Sequence, residues 1–308
     1  MMKIAFVFPG QGSQSVGMMQ GLAGRPEVRL TFSEASDALS QDLWTLVSDG
    51  PADALNQTVN TQPAMLAADV ATWRVWQAMG GPQPVLLAGH SLGEYAALVA
   101  AGALNFPDAV RLVRFRAEAM QAAVPEGSGA MAAILGLDDD VVRAVCLEAA
   151  AGDVVEAVNL NSPGQVVIAG SRSAVERAMA LAKENGAKRA LPLPVSVPSH
   201  SSLMLPAAEK LLTYLQDIAI STPAIPVLHN TDVETHASPD AIRVALAKQL
   251  HTPVRWVETV QAIKAAGADR MAECGPGKVL AGLAKRIDDS LPAVALVDEA
   301  SFAAALNN

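Results

Sequence analysis

The pentapeptide Gly89-His90-Ser91-Leu92-Gly93 stands directly after an apolar run, Val85-Leu86-Leu87-Ala88, and directly before a helix-compatible stretch, residues 94–101. A G-x-S-x-G in the order strand, turn, helix is the signature of a nucleophile elbow. The reason is steric. The chain reverses so tightly that the serine is strained, and glycines two residues to either side let strand and helix approach. The serine oxygen then stands exposed at a helix N-terminus, where free N–H groups favour developing negative charge. The run 85–88 holds no polar residue, as expected of a strand covered on both faces. Ile4-Ala5-Phe6-Val7-Phe8 is a second such run, closed by Pro9 and Gly10. Between them residues 62–79 read as a helix with Pro63 in its first turn. Strands alternating with helices predict an α/β fold with a parallel sheet.

The pattern changes at Pro125-Glu126-Gly127-Ser128-Gly129, a linker-like stretch. Residues 130–137 then read as a strand and 138–150 as a helix with acidic residues in its first turn. Residues 154–160 and 165–169 read as two strands joined through Asn161-Ser162-Pro163-Gly164. A helix over 173–184 is stopped by Asn185-Gly186, and 190–197 is a last strand. That order, β-α-β-β-α-β, is the ferredoxin-like motif. Helix and strand alternation resumes from Ser201. The expected organisation is a discontinuous large α/β domain, residues 1–126 and 198–308, interrupted by a small ferredoxin-like domain, residues 127–197.

Of the 308 residues 51% are hydrophobic and 17% charged, which suits a sizeable core and excludes general disorder. The net charge of −9, the want of a long Lys/Arg run and the 4% of aromatics exclude a nucleic-acid binder. The longest apolar stretch, 95–104, is half a membrane span, and the run 4–8 is too short for a signal-peptide core. Cys146 and Cys274 lie far apart and make neither a metal-ligand cluster nor a disulfide framework. A cytoplasmic chain is expected, with no membrane and no metal. No heptad or long apolar edge is evident, so a monomer is expected.

A serine nucleophile needs a base. His90 neighbours Ser91 in a turn that points adjacent side chains apart. His229, His236 and His251 sit in polar segments, as surface or capping residues do. His200 follows a stretch stiffened by Pro192, Pro194 and Pro198, and precedes Ser201 and Ser202, candidate N-caps of a helix over 203–215. That junction suits an imidazole presented to a serine; a loop histidine with no role is the plainer reading. No acid between Ser91 and His200 sits at an obvious strand end. This favours a Ser-His dyad whose imidazole is oriented by a carbonyl, which fixes the tautomer but stabilises imidazolium less than a carboxylate does. In a helix over 108–123, Ala109, Val113, Arg116 and Met120 share one face, while Arg111 and Arg114 point elsewhere, to solvent. An arginine on an apolar stripe needs an anion. Two readings stand for Arg116: a structural carboxylate or snorkelling, or a substrate carboxylate held bidentately. Gly275-Pro276-Gly277-Lys278 is no P-loop, since Val279 stands where Ser or Thr must be and Ala272 replaces the first glycine. Asn56-Gln57-Thr58 matches a glycosylation acceptor with nothing else pointing to secretion.

Taken together, Phe8-Pro9-Gly10-Gln11-Gly12-Ser13-Gln14 and Gly89-His90-Ser91-Leu92-Gly93-Glu94-Tyr95, with Asn161-Ser162-Pro163-Gly164-Gln165, the His200 segment and Glu273-Cys274-Gly275-Pro276-Gly277, make a chain that resembles the malonyl-CoA:acyl carrier protein transacylases of bacterial fatty-acid synthesis. The resemblance runs over essentially the whole chain. It implies a large α/β hydrolase-like domain with an inserted ferredoxin-like domain. It implies an acyltransferase that moves malonyl from malonyl-CoA to the phosphopantetheine thiol of holo acyl carrier protein, by ping-pong transfer through a malonyl-serine and without a cofactor. It further implies Ser91 as nucleophile, His200 as base, the backbone N–H groups of Gln11 and Leu92 as oxyanion hole, Arg116 and Gln11 as substrate-binding, and the Gln249 carbonyl as the group orienting His200. In Val197-Pro198-Ser199-His200-Ser201 the histidine and its proline are kept, though many relatives carry an aromatic beside the histidine. Acyl carrier proteins are usually acidic, as this chain is, so docking calls for a local basic patch; Lys188-Arg189 and Lys285-Arg286 are the candidates. A malonyltransferase serving polyketide or malonate-decarboxylase carriers shares the chemistry, and a serine thioesterase shares the elbow.

Overall fold

A computed structural model describes residues 3–195 and 197–307 of the chain. Nine strands occur among the described residues: β1 Ile4–Phe8, β2 Leu86–Gly89, β3 Gly129–Leu135, β4 Val155–Ser162, β5 Gln165–Ser171, β6 Arg189–Pro192, β7 Val227–Leu228, β8 Arg270–Glu273 and β9 Ala293–Ala295. Five of them form one parallel sheet in the order β7-β2-β1-β8-β9. β1 lies in the middle because all five of its residues are apolar and can be buried on both faces. Its side chains alternate between two cores. Ile4, Phe6 and Phe8 pack with Leu66, Trp73 and Trp76. Ala5 and Val7 pack with Trp256, Val260 and Met271.

After β7 the chain crosses to the far side of β1 to lay down β8 and β9, so the strand order reverses at β1. In open α/β sheets that reversal opens a crevice at the carboxyl ends of the strands. Phe8 pairs with Gly89 and Val7 with Glu273, so the segments beginning at Pro9, His90 and Cys274 leave the sheet at one edge.

The other four strands form an antiparallel sheet in the order β4-β5-β3-β6. The helices Asp139–Ala150 and Arg172–Glu184 cover one face, burying Val142, Val145, Val175 and Ala178 against Ile134, Val166 and Ile168. This is the expected β-α-β-β-α-β unit. β4 is sewn to the main body: Val254 N–H donates to the Val158 carbonyl (2.8 Å) and Leu160 N–H to the Val254 carbonyl (3.0 Å).

Three expectations need correction. The helix expected over 62–79 runs Thr58–Ala78 and carries Pro63 in its interior. Proline leaves one carbonyl without its helical partner, but the turn before it is pinned from outside. Thr61 Oγ1 donates to the Leu55 carbonyl (2.6 Å) and Asn60 Nδ2 to the Ala54 carbonyl (2.9 Å). The last strand of the small sheet ends at Pro192, since Pro194 has no N–H to continue the ladder; Ser196, within the expected strand, lies outside the described residues. Ser201 and Ser202 do not cap a helix with their side chains. A single 3-10 turn, Ser202–Met204, precedes the helix Leu205–Leu215, and Ser201 Oγ donates to the Pro198 carbonyl (2.7 Å).

Candidate active site

Ser91 lies between the end of β2 and the helix Gly93–Ala100, with φ at 53°. That left-handed conformation is strained for a residue with a side chain. It persists because the flanking contacts leave no alternative. An ideal Cβ on Gly89 would stand 1.9 Å from the Gly93 carbonyl carbon, so strand and helix meet here only as glycines. Asn230, two residues beyond β7, clamps the turn: its Oδ1 accepts from Ser91 N–H (2.7 Å) and its Nδ2 donates to the Gly89 carbonyl (2.6 Å).

His200 is brought to the serine from more than a hundred residues away. Its backbone also takes a positive φ, 67°, and its N–H donates to the Leu250 carbonyl (2.9 Å). The ring spans two partners. Nδ1 lies 2.7 Å from the Gln249 main-chain carbonyl, and Nε2 lies 2.7 Å from Ser91 Oγ. A carbonyl only accepts, so Nδ1 carries the proton and Nε2 offers its lone pair to the serine hydroxyl. Burial, aided by the nearby Arg116 charge, holds the imidazole pKa down to about 3, against 6.5 ordinarily. The ring is therefore neutral at pH 7 and able to accept a proton.

Arg116 lies on the buried face of the helix Phe106–Gln121, with Ala109, Val113 and Met120, as its helical spacing requires. The residue is 2% exposed and no carboxylate is bonded to its guanidinium. Instead Nη1 donates to Gln62 Oε1 (2.8 Å), and Nη2 to Gln249 Oε1 (3.0 Å) and toward Ser91 Oγ (3.3 Å); Nε has no partner among the described residues. Of the two readings open in the sequence, the first finds no directly bonded carboxylate and no reach to solvent. Arg111 is exposed and pairs with Asp108, but Arg114 is only half-buried, bonded to Gln41, rather than solvated as expected.

Gln11 and Leu92 lie on facing segments, one after β1 and one in the elbow. An ideal Cβ on Gly10 would come 2.4 Å from the His90 carbonyl and 3.7 Å from Leu92 N. The backbone N–H groups of Gln11 and Leu92 donate to no acceptor among the described residues. Gln11 Oε1 accepts from Thr58 Oγ1 (2.8 Å), and Thr58 Oγ1 accepts in turn from Gln62 Nε2 (3.3 Å), so the Gln11 loop is linked to the Arg116 cradle.

Several contributors were not foreseen from the sequence. Glu94 is wholly buried one turn past the serine, bonded to His229, Asn230 and Gln249. His229, expected at the surface with His236 and His251, is wholly buried too; its Nδ1 lies 2.7 Å from Glu94 Oε1. Burial lowers the His229 pKa, yet the Glu94 carboxylate outweighs it and the net shift is upward. Gln249 acts through its side chain as well as its carbonyl. His90 is not a base: its Nε2 is bonded to Asn161 Oδ1 (2.8 Å) and its ring packs on Trp256. The only sequence signal for Glu94 and His229 was an acid inside an apolar helix.

Comparison with known proteins places this geometry. The acyl transferase domain model matches residues 5–303. The malonyl CoA-acyl carrier protein transacylase of Salmonella typhimurium is 59% identical over 307 residues, covering 99% of each chain. That of Bacillus subtilis is 47% identical over 300 residues, covering 97% of this chain and 94% of the relative. Among solved structures, the acyl-carrier-protein S-malonyltransferase of Burkholderia pseudomallei superposes with a TM-score of 0.98 at 60% identity over 100% of both chains. A type II PKS acyl-carrier protein in complex with its malonyl-transacylase matches with a TM-score of 0.98 at 56% identity, covering 99% of this chain and 100% of that one.

Proposed function

The chain belongs to the malonyl CoA-acyl carrier protein transacylases, and on that footing we propose that Ser91 carries the malonyl group while His200 moves its proton. The reaction is the transfer of malonyl from malonyl-CoA to acyl carrier protein in fatty-acid synthesis. The observation that carries the assignment is the relay from Ser91 Oγ through the His200 ring to the Gln249 carbonyl, 2.7 Å at each step.

In the first half-reaction Ser91 Oγ attacks the thioester carbonyl carbon and its proton passes to His200 Nε2. The thioester oxygen becomes an oxyanion, received by the N–H groups of Gln11 and Leu92, each worth ~3 kcal/mol in such sites. The tetrahedral adduct collapses, the C–S bond breaks, and the CoA sulfur takes the proton from Nε2 and leaves as thiol. A malonyl ester remains on Ser91. In the second half the phosphopantetheine thiol of holo acyl carrier protein gives its proton to Nε2 and attacks the ester. Collapse returns the proton to Ser91 Oγ. Imidazolium is stabilised here by a carbonyl alone, so it forms only transiently.

The distal malonyl carboxylate is assigned to Arg116, whose partners are all neutral and whose Nε is free to donate. A carboxylate there forms a charge-assisted pair within a desolvated pocket, and it also offsets the cation that depresses His200. The charged acyl group thus raises the basicity of the residue that must act on it. An acetyl group leaves the guanidinium unpaired.

For the carrier protein the candidate contact is a basic rim. The Lys188 side chain lies against Gly136, whose N–H donates to the Gly164 carbonyl (2.7 Å). The next residue, Gln165, accepts from Arg286 Nη1 through Oε1 (2.8 Å). Lys188-Arg189 and Lys285-Arg286, all exposed, thus adjoin across the join between the two sheets. The domain limits that go with this reading are 1–126 with 198–308 for the large unit and 127–197 for the small one. The proposed setting is the cytoplasm, in keeping with the buried free thiols Cys146 and Cys274.

Initial rates with malonyl-CoA and holo acyl carrier protein both varied test the order of events. Parallel double-reciprocal lines are expected of an acyl-enzyme; intersecting lines would mean direct transfer in a ternary complex.

A further inference from the structure

The Gln249 side chain lies wholly buried between two groups with opposite demands. On one side is the Arg116 guanidinium, which has only donors; on the other is Glu94, which accepts from three donors. His229 Nδ1 approaches Glu94 Oε1 at 2.7 Å, and Asn230 N–H and Gln249 Nε2 donate to Oε2 at 3.0 and 2.9 Å. Gln249 Nε2 also donates to the Ser91 carbonyl (3.0 Å), while its Oε1 accepts from Arg116 Nη2 (3.0 Å). Only one orientation of the amide satisfies both sides. Turned over, it would set an oxygen against the carboxylate and an NH2 against the guanidinium, a double repulsion in a buried site.

We propose that Glu94 is a positioning residue for acyl-group selection: it fixes the Gln249 amide with its oxygen toward Arg116, and so holds the guanidinium facing Ser91. The inference rests on the reading of Arg116 as the partner of the acyl carboxylate. Without the carboxylate at position 94 the amide nitrogen keeps only the Ser91 carbonyl, so the amide is held less firmly, and Arg116 is left with the Gln62 oxygen and the longer contact to Ser91 Oγ. The Ser91–His200 pair is held mainly by other groups: His200 Nδ1 bonds to the main chain of Gln249, and the Asn230 side chain holds Ser91 N–H and the Gly89 carbonyl, with the Gln249 amide adding one bond to the Ser91 carbonyl. Loss of Glu94 therefore strikes selection of the carboxylate more than activation of the hydroxyl. A residue that merely supported the fold would strike both.

The test is Glu94→Gln, of nearly equal volume but able to present either donor or acceptor to Gln249. Its readouts are KM and kcat for malonyl-CoA and acetyl-CoA, and the rate at which a neutral fluorophosphonate labels Ser91. The malonyl-to-acetyl ratio of kcat/KM is expected to fall about tenfold or more, mainly through KM for malonyl-CoA, with labelling within about threefold of the parent. A ratio within about twofold of the parent, or labelling that falls in step with malonyl transfer, overturns the proposal. Should Glu94→Gln fail to fold, Glu94→Asp carries the test, because its shorter acceptor reaches Gln249 less well. The same loss of ratio at about threefold, with labelling kept, supports the proposal, and an unchanged ratio refutes it. Arg116→Ala separates the two layers. If it retains the malonyl preference, the reading of Arg116 fails; if it loses the preference while Glu94→Gln keeps it, only the role of Glu94 fails.

Discussion

Replacing Arg116 by alanine is the sharpest probe of why the pocket takes a charged acyl group. The residue is 2% exposed, and its guanidinium holds neutral acceptors at 2.8 and 3.0 Å and points Nη2 at the serine oxygen 3.3 Å away. Removing one partner of a pair buried to this degree costs about 3–5 kcal/mol, so malonyl transfer is expected to lose at least ~100-fold in kcat/KM. Acetyl-CoA makes no such pair and no longer confronts an unpaired cation, so its kcat/KM is expected to hold or rise. The variant also orphans Gln62 Oε1 and Gln249 Oε1, at about 1–3 kcal/mol each, and some stability is lost with them. The ratio of the two substrates cancels that loss, because both are turned over by the same folded fraction. Steady-state rates with purified holo acyl carrier protein as acceptor supply the ratio. A malonyl-to-acetyl preference unchanged from the parent would remove Arg116 from the acyl pocket.

The buried neutral His200 gives the fold a pH dependence of known sign. With its folded pKa near 3 and the unfolded value near 6.5, the unfolded chain binds more protons between those limits, so stability falls as pH falls. The loss from pH 7 to pH 5 is about 2 kcal/mol from this residue, and His90, also lowered by burial, adds to it with the same sign. His229, raised instead, acts with the opposite sign at the upper end of this window, and adds no further slope once it is protonated in both states. Tm should therefore drop further between pH 7 and pH 5 in the parent than in His200→Gln; equal drops would show that the ring is not held neutral. At the basic rim, Lys188→Ala with Arg189→Ala, or Lys285→Ala with Arg286→Ala, is expected to raise KM for acyl carrier protein about three- to tenfold and to leave KM for free pantetheine as acceptor unchanged. Added salt should act on the parent in the same selective way, and equal effects on both acceptors would place docking elsewhere.

What could be read in the sequence was whatever is local. Ser91 was legible because the elbow is set by glycines within two residues and by the strand and helix it joins. The small sheet was legible because its six elements follow one another without a long excursion. Arg116 was legible because helical spacing alone puts it with Ala109, Val113 and Met120. The Glu94–His229 pair was not, since its partners are 135 residues apart and His229 is followed by Asn230, Thr231 and Asp232, which resemble a surface loop. Its burial follows from β7 closing against β2, a pairing two residues long that leaves little periodicity. The Gln249 amide was invisible for a related reason: its three partners come from Ser91, Glu94 and Arg116, all on other elements. Pro63 misled because its rule concerns isolated helix starts, and here contacts to residues 54–57 start the helix earlier.

In the proposed mechanism the malonyl group rests on one hydroxyl between donor and acceptor. Intact-mass measurement of the chain after brief exposure to malonyl-CoA, with no acceptor present, addresses it most directly. The parent is predicted to gain the mass of a single malonyl group, to place it on the peptide containing Ser91, and to lose it on addition of holo acyl carrier protein; Ser91→Ala is predicted to gain nothing. An adduct that persists in Ser91→Ala, or a parent that turns over without ever acquiring one, would contradict the account.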